Sequence, residues 1–182
     1  MAETNNTPTE AQQKAAAFLT RPKPSFEAWR DARKADDIKA AEARAVALSK
    51  AIENASIGDI LPDGSVYVGI SPDTNKPMCA TAADAPVSMS FNAAAQYAEE
   101  LDAHGHSDWR VPTIEELNVL YQNHEKGALK GTFNISGSPN LNAHHWSSTP
   151  CFKDDGWYLE FSQGYRNTYT KSLDTYVRCV RS

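Results

Sequence analysis

Apolar positions change their spacing along this chain, and each change marks an element. Between residues 25 and 55 there is no Gly or Pro, and Ala, Lys, Glu and Arg dominate, all good helix formers. Ile38, Ala41, Ala45, Leu48 and Ile52 recur at alternating steps of three and four, a thin a/d stripe of about two heptads. The spacing predicts one long helix over 25–56, with Ser25 as N-cap, Glu27 in the first turn and an aromatic start at Phe26 and Trp29. Such a helix either packs on its own C-terminal domain or self-associates as a stalk, giving a homo-oligomer that multiplies weak sites. Residues 1–24 are polar and Ala-rich, and Pro22 and Pro24 should end any short helix over residues 9–19.

Beyond residue 57 the pattern becomes mixed. Leu61-Pro-Asp-Gly-Ser65 reads as a turn before the strand Val66–Ile70, and Ser71–Pro77 as a second turn before a returning strand Met78–Ala82. Ser90 is placed to cap a helix whose Phe91, Ala94, Ala95, Ala98 and Leu101 share one face. Thr113-x-x-Glu116 has the form of a capping box, with Leu117, Leu120 and Tyr121 on the buried side. A loop-like stretch runs from Asn123 to Asn142. Four β-segments follow: His144–Ser148, Trp157–Ser162, Tyr165–Lys171 and Tyr176–Val180, with a hairpin turn at Gln163-Gly164. In the second, Trp157, Leu159 and Phe161 should face the core, and Tyr158, Glu160 and Ser162 outward. Two helices followed by an antiparallel meander imply an α+β domain over 57–182.

Charge narrows the function classes. The net charge of −5 divides unevenly: residues 1–56 hold nine Lys/Arg against eight Asp/Glu, and residues 57–182 nine against fifteen. A C-terminal domain at −6 without a basic cluster is poorly matched to nucleic acid. No apolar run approaches the roughly 18–20 residues that cross a bilayer, so a membrane partner is not expected. The N-terminal sequence lacks the features of a Sec signal, which makes the cytoplasm the default compartment; release by phage lysis or a non-Sec route would leave no such mark. The three cysteines Cys79, Cys151 and Cys179 read as small buried side chains, and a Cys151–Cys179 bridge would need an oxidising compartment.

Several separated motifs carry a family resemblance. They are Gly105-His-Ser-Asp-Trp-Arg-Val-Pro-Thr113 with Glu115-Glu-Leu117, then Trp146-Ser-Ser-Thr149, Trp157 with Phe161-x-x-Gly164, and Val177-Arg-Cys-Val-Arg181. In that order, from about Asp59 to Ser182, they resemble the Lcl C-terminal domain-like family, named for a bacterial collagen-like adhesin. The resemblance implies a C-type-lectin-like fold, shared with the formylglycine-generating enzyme and with the variable proteins of diversity-generating retroelements. Ile-Ser-Pro-Asp-Thr (70–74) and Ala-His-Gly-His-Ser-Asp-Trp-Arg (103–110) look closest to bacterial and prophage members. It also implies a non-enzymatic ligand-binding or display protein, whose ligand is an unspecified protein or glycan. Residues 1–56 have no part in it.

Within that frame Trp109, Trp146 and Trp157 are expected in the core. Arg110 should pair with a carboxylate or carbonyls under its loop. Arg178 is expected to serve the scaffold but to point outward if Cys179 is buried. The expected ligand surface is the tyrosine-rich C-terminal hairpin: Lys153, Asp154, Asp155, Tyr158, Glu160, Tyr165, Arg166, Asn167, Thr168, Tyr169 and Lys171, with Tyr176 as a further half-exposed ring. Rigid aromatics among short polar groups give contact area at low entropic cost; the plainer reading is a polar hairpin with half-buried tyrosines.

Other classes are weaker. His104-x-His106 and His144-His145 with Asp108 or Glu115 suggest a zinc enzyme, but adjacent histidines on a strand point to opposite faces, and His104 and His106 can instead close the preceding helix. A formylglycine-type oxidase lacks its surrounding motif, Ser138-Pro-Asn140 lacks the acidic or amide residue of a lectin calcium triplet, and no Gly-x-Ser-x-Gly elbow supports a serine nucleophile around Ser147-Ser148-Thr149. No catalytic residue, metal ligand or cofactor is therefore expected. A purely structural phage or cell-surface assembly protein is the third alternative.

Overall fold

The computed structural model describes Thr9, Glu10, Gln13, residues 25–135 and residues 143–182. The expected helix break at Pro22 and Pro24 and the Ser138–Asn140 triplet lie outside the described residues, as does most of the 9–19 helix. Helix α1 is Phe26–Glu53. Ser25 caps it, its hydroxyl accepting from Ala28 N–H at 3.2 Å. Every described side chain from Phe26 to Ala47 is exposed, so the first three stripe positions, Ile38, Ala41 and Ala45, bury nothing, while Leu48 and Ile52 are half-buried. The chain divides into two units, Met1–Arg44 and Ala45–Ser182.

The second unit is α+β, with two small antiparallel sheets. The first orders β1 (Val66–Ile70), β2 (Pro77–Ala80) and β6 (Val180–Arg181); the second orders β3 (His144–Trp146), β4 (Asp155–Glu160) and β5 (Arg166–Thr170). Helices α2 (Phe91–Glu100) and α3 (Ile114–Asn123) and a 3-10 turn at Gly127–Leu129 complete the described elements. Ser90 occupies the N-cap of α2, but its hydroxyl makes no capping bond. The buried stripe of α2 carries Phe91, Ala94, Tyr97, Ala98 and Leu101; Ala95 faces solvent, because the larger Tyr97 takes the flank nearer the core. At α3 both halves of the capping box form, Glu116 N–H to Thr113 Oγ1 at 3.2 Å and Thr113 N–H to Glu116 Oε2 at 3.0 Å.

Two apolar cores lie in this unit. One gathers Val68, Met78, Leu117, Leu120, Leu159 and Phe161; the other gathers Ala98, Trp109, Trp146, Tyr158, Val177 and Cys179. The indole N–H groups are paired, Trp146 to Met89 O at 2.9 Å and Trp109 to Ala103 O at 3.0 Å. Gly156 is needed where it stands, since a Cβ there would lie 2.4 Å from the Phe91 ring that packs edge-on against Trp146.

The segment Thr175–Arg181 stitches the two sheets together. It bridges Met89 through Thr175, runs parallel to His145 through Tyr176, bonds to Ala85 and Thr81 through Val177 and Cys179, and pairs with Arg110 and β2 through Val180. This corrects the expectation for Arg178. Alternation holds, for Val177 and Cys179 enter one core and Val180 the other, but the second side is not wet. Arg178 is therefore 0% exposed. Strand β4 lies between the same two cores, which corrects Tyr158 in the same way: it is buried at 8% exposure, while Leu159 is buried on the opposite face. Trp157 is half-buried and belongs to neither core. Cys79 and Cys179 are buried, Cys151 is half-buried, and all three are free thiols.

Candidate functional site

The register of the second sheet divides the tyrosine-rich hairpin between two faces. Leu159 pairs with Arg166, Trp157 with Thr168 and Asp155 with Thr170; these pairs and His145 share the face that turns to α3. The intervening pairs, Tyr158 with Asn167 and Gly156 with Tyr169, share the other face with His144, which pairs with Glu160, and Trp146, which pairs with Tyr158. The expected single patch is thus two surfaces.

On the α3 face, Arg166 is committed to Glu115 in a forked pair at 2.6 and 3.1 Å. Thr168 N–H is taken by the Asn167 side chain at 2.8 Å, and Thr170 O by Leu173 N–H at 3.1 Å, which closes part of the edge of β5 to strand addition. At the far end of the hairpin Lys153 and Asp154 are exposed and Asp155 is half-buried. Lys171 is a fastener here: its ammonium donates to Phe152 O at 3.1 Å and Lys153 O at 2.9 Å, and it lies 5.2 Å from the Phe91 ring centre.

The opposite face packs Trp146 and Tyr158 into the second core and leaves His144, Glu160 and Tyr169 half-buried at its margin. His144 and Tyr158 rings lie 4.2 Å apart, Tyr158 meets Tyr169 edge-on at 5.8 Å, and His144 and Tyr169 are 6.2 Å apart. Half-buried Glu160 lies beside this ring cluster, hydrogen-bonded by the Ser162 hydroxyl. Glu160 N–H donates to Tyr165 O at 2.8 Å, closing the hairpin with the Tyr165 side chain 63% exposed beside it. Asn167 is exposed and Tyr169 half-buried. Burial holds the His144 imidazole below its ordinary value, with Glu160 pulling the other way, and burial followed by Glu160 pushes the Tyr158 phenol up. His144 Nδ1 is buried without a hydrogen-bond partner among the described residues. Sequence reasoning weighed His144 only as a metal ligand; it joins this face because β3 pairs with β4, a non-local fact.

Behind the sheet lies a second polar constellation, fully enclosed. Arg178 Nε donates to Asp84 Oδ1 at 2.7 Å, its Nη1 to Thr81 O at 2.9 Å and its Nη2 to Thr132 O at 2.6 Å, while the guanidinium covers Phe133 at 3.8 Å. His145 Nε2 meets Asp84 Oδ2 at 3.0 Å, and Asn134 donates to the same oxygen from its N–H at 2.7 Å and its amide at 2.9 Å. Burial pushes the Asp84 carboxyl up, but His145, Arg178 and the Asn134 N–H outweigh it and bring it down to about 2. No motif around Asp84 announces this role; its neighbours are Ala83 and Ala85.

Arg110 forks onto buried Glu116 at 2.5 and 2.7 Å and reaches Ser182 Oγ at 3.1 Å, and Glu116 also accepts from Ser71 at 2.6 Å. His104 and His106 do not close α2, where Leu101 is the cap. They hold the 61–65 turn: His104 Nδ1 meets Asp63 O at 3.1 Å and His106 Nε2 meets Asp63 Oδ2 at 3.0 Å. Ser147 is 0% exposed, and its oxygen accepts from Thr149 N–H at 3.0 Å. Among the described residues no three His, Cys, Asp or Glu side chains are grouped to hold a metal ion, and no helix is long and apolar enough to cross a membrane.

No curated protein matches the chain. A family model, that of the Lcl C-terminal domain, matches residues 73–181, a span that takes in Asp84, the Trp109-Arg110 loop, both helices beside the sheets, the hairpin and the stitching segment to Arg181. With well over half of its length matched, and every element of the second sheet inside the match, the chain belongs to the Lcl C-terminal domain family.

Proposed function

We propose that this protein is a non-enzymatic binding protein whose ligand surface is the partly exposed margin of the second sheet at the Glu160–Tyr165 hairpin end, where the sheet emerges from the second core. The observation that supports it best is the contrast in how polar groups are used. The Arg178, Asp84 and His145 side chains are sealed at 0–2% exposure and saturated with partners, as scaffold groups are. Exposed Tyr165 and Asn167 with half-buried Tyr169, Glu160 and His144 form a partly open margin, where rigid rings and short polar groups suit recognition. Against an enzyme, among the described residues the His145–Asp84 pair is a sealed, saturated scaffold contact, and His104 and His106 hold a turn. Membership of the Lcl family agrees with a binding role, although a fold alone does not assign one.

The test is a glycan array and a peptide array probed with the full chain and with a Tyr165→Ala, Asn167→Ala, Tyr169→Ala triple variant. Binding by the parent that the variant loses is the expected result. Equal binding by both would remove the assignment of this face. Whether the face is diversified by a retroelement is tested in the flanking DNA. A reverse transcriptase and a near-copy of the segment for residues 144–181, differing at adenines, would establish it, and their absence leaves a fixed specificity.

A further inference from the structure

We infer that the partly open margin is built for a cationic head group, an arginine or lysine side chain presented by a partner peptide; this rests on the binding role proposed above and narrows it. The starting point is the bookkeeping of carboxylates. Asp63, Asp84, Glu115 and Glu116 each have an arginine within 4 Å: Arg181, Arg178, Arg166 and Arg110 respectively. Glu160, half-buried at the end of β4 beside the hairpin turn, has no cationic partner among the described residues; its hydrogen bond comes from a neutral serine. A carboxylate partly withdrawn from water and left uncompensated is a site of unspent negative potential.

Its surroundings favour a particular counter-charge. The half-buried His144 and Tyr169 rings stand beside it, backed by buried Tyr158, and Tyr165 is exposed at the rim. Aromatic faces attract ammonium and guanidinium groups, and Arg in addition stacks on them and forks onto carboxylates. A hydrated anion would meet Glu160 at short range, and a neutral ligand would leave its charge unanswered. The field of the domain points the same way: with nine Lys/Arg against fifteen Asp/Glu over residues 57–182, it draws cations in and keeps polyanions off. Arg166 and Lys171 on the hairpin are tied to Glu115 and to loop carbonyls, and Lys153 makes no ion pair with Glu160 among the described residues.

The test is an NMR titration of the full chain, following the aromatic signals of His144, Tyr158, Tyr165 and Tyr169. The probes are Nα-acetyl-arginine amide, its uncharged isostere Nα-acetyl-citrulline amide, and methyl β-galactoside. Saturable shifts with the arginine probe, absent with citrulline and weakened about tenfold in Glu160→Gln, are expected. The Gln variant keeps shape and hydrogen bonding, and an unchanged spectrum outside the face shows that it folds. Citrulline binding as well as arginine, or full binding by Glu160→Gln, overturns the cation assignment and leaves the face as a binding surface. Shifts with the galactoside alone do the same and redirect the ligand class to sugars. No shift with arginine also overturns it, and the array comparison then judges the broader reading independently.

Discussion

His144 and His145 are neighbours in sequence and opposites in use. His145 points behind β3 into a closed ionic cluster with Asp84 and Arg178, and His144 points forward onto the partly open margin with Tyr158 and Glu160. Both sides of the sheet carry charge and aromatic rings, yet on one every polar atom of the cluster has a protein partner, and on the other the Glu160 carboxylate has only a serine hydroxyl and no cation among the described residues. The difference teaches how to separate scaffold from site: not by residue type, which is the same on both sides, but by whether the protein itself completes the hydrogen bonds and neutralises the charge. Burying ions is costly unless they are paired, so the closed side must be finished before the chain folds stably, and on the proposed binding side Glu160 is left for a ligand to complete.

Substitutions should divide along this line. Arg178→Ala leaves Asp84 buried without its arginine partner and should cost about 3–5 kcal/mol, read from urea unfolding of the full chain. A loss below about 1 kcal/mol would mean that the cluster is not the anchor described. The same carboxylate sets the acid limit. Its folded value, about 2, lies below the ordinary 3.8, so its contribution is complete above about pH 4 and disappears as pH falls towards 2. The difference corresponds to about 2 kcal/mol. An Asp84→Asn variant should therefore be less stable at neutral pH and lose less on acidification, which pH-dependent unfolding midpoints would check.

The two histidines give the sharpest internal comparison. His145→Phe removes one of the partners of Asp84 Oδ2, leaving Asn134, and should destabilise by about 2 kcal/mol. His144→Phe, whose Nδ1 has no partner to lose among the described residues, should change stability by less than about 0.5 kcal/mol, and its readout is binding. Equal destabilisation by both would erase the distinction between the faces. The smallest effect expected is on the pH profile of binding. His144 is held neutral below its ordinary value of 6.5, facing Glu160, Tyr158, Tyr169 and, from behind, His145. As pH falls through that depressed value an imidazolium forms beside Glu160 and competes with a cationic ligand. Arginine-probe affinity should then weaken modestly in acid, and His144→Phe should flatten the profile.

Much of the local architecture was legible in the chain. The Ser25 cap, the Thr113–Glu116 box, the Val66–Ile70 strand and the 160–165 turn depend on neighbours a few residues apart, whose chemistry can be read directly. The inside–outside assignments were less secure. Period-two alternation assumes one wet face, and β4 and the Thr175–Arg181 segment have two dry ones, so Tyr158 and Arg178 are both buried. Lys171 looked like a surface charge; that its ammonium reaches two loop carbonyls depends on how the 152–155 loop folds back over it. Trp157, the residue type expected deepest, sits half-buried outside both cores, and nothing in its local sequence marks that.

The sequence by itself determined the class of the second unit, the caps and turns that punctuate it, the acidic balance of its surface and the family motifs, because these depend on composition or on interactions within a turn of chain. Only the tertiary structure decided which polar residues are scaffold and which are free. The partners concerned are far apart in sequence: Asp84 with Arg178, Glu115 with Arg166, His144 with Tyr158 and Glu160. Their meeting depends on two sheets being stitched by one late segment. Whether a charge is answered is a property of three-dimensional neighbours, and on the face of β3, β4 and β5 it is Glu160 that the fold leaves unanswered.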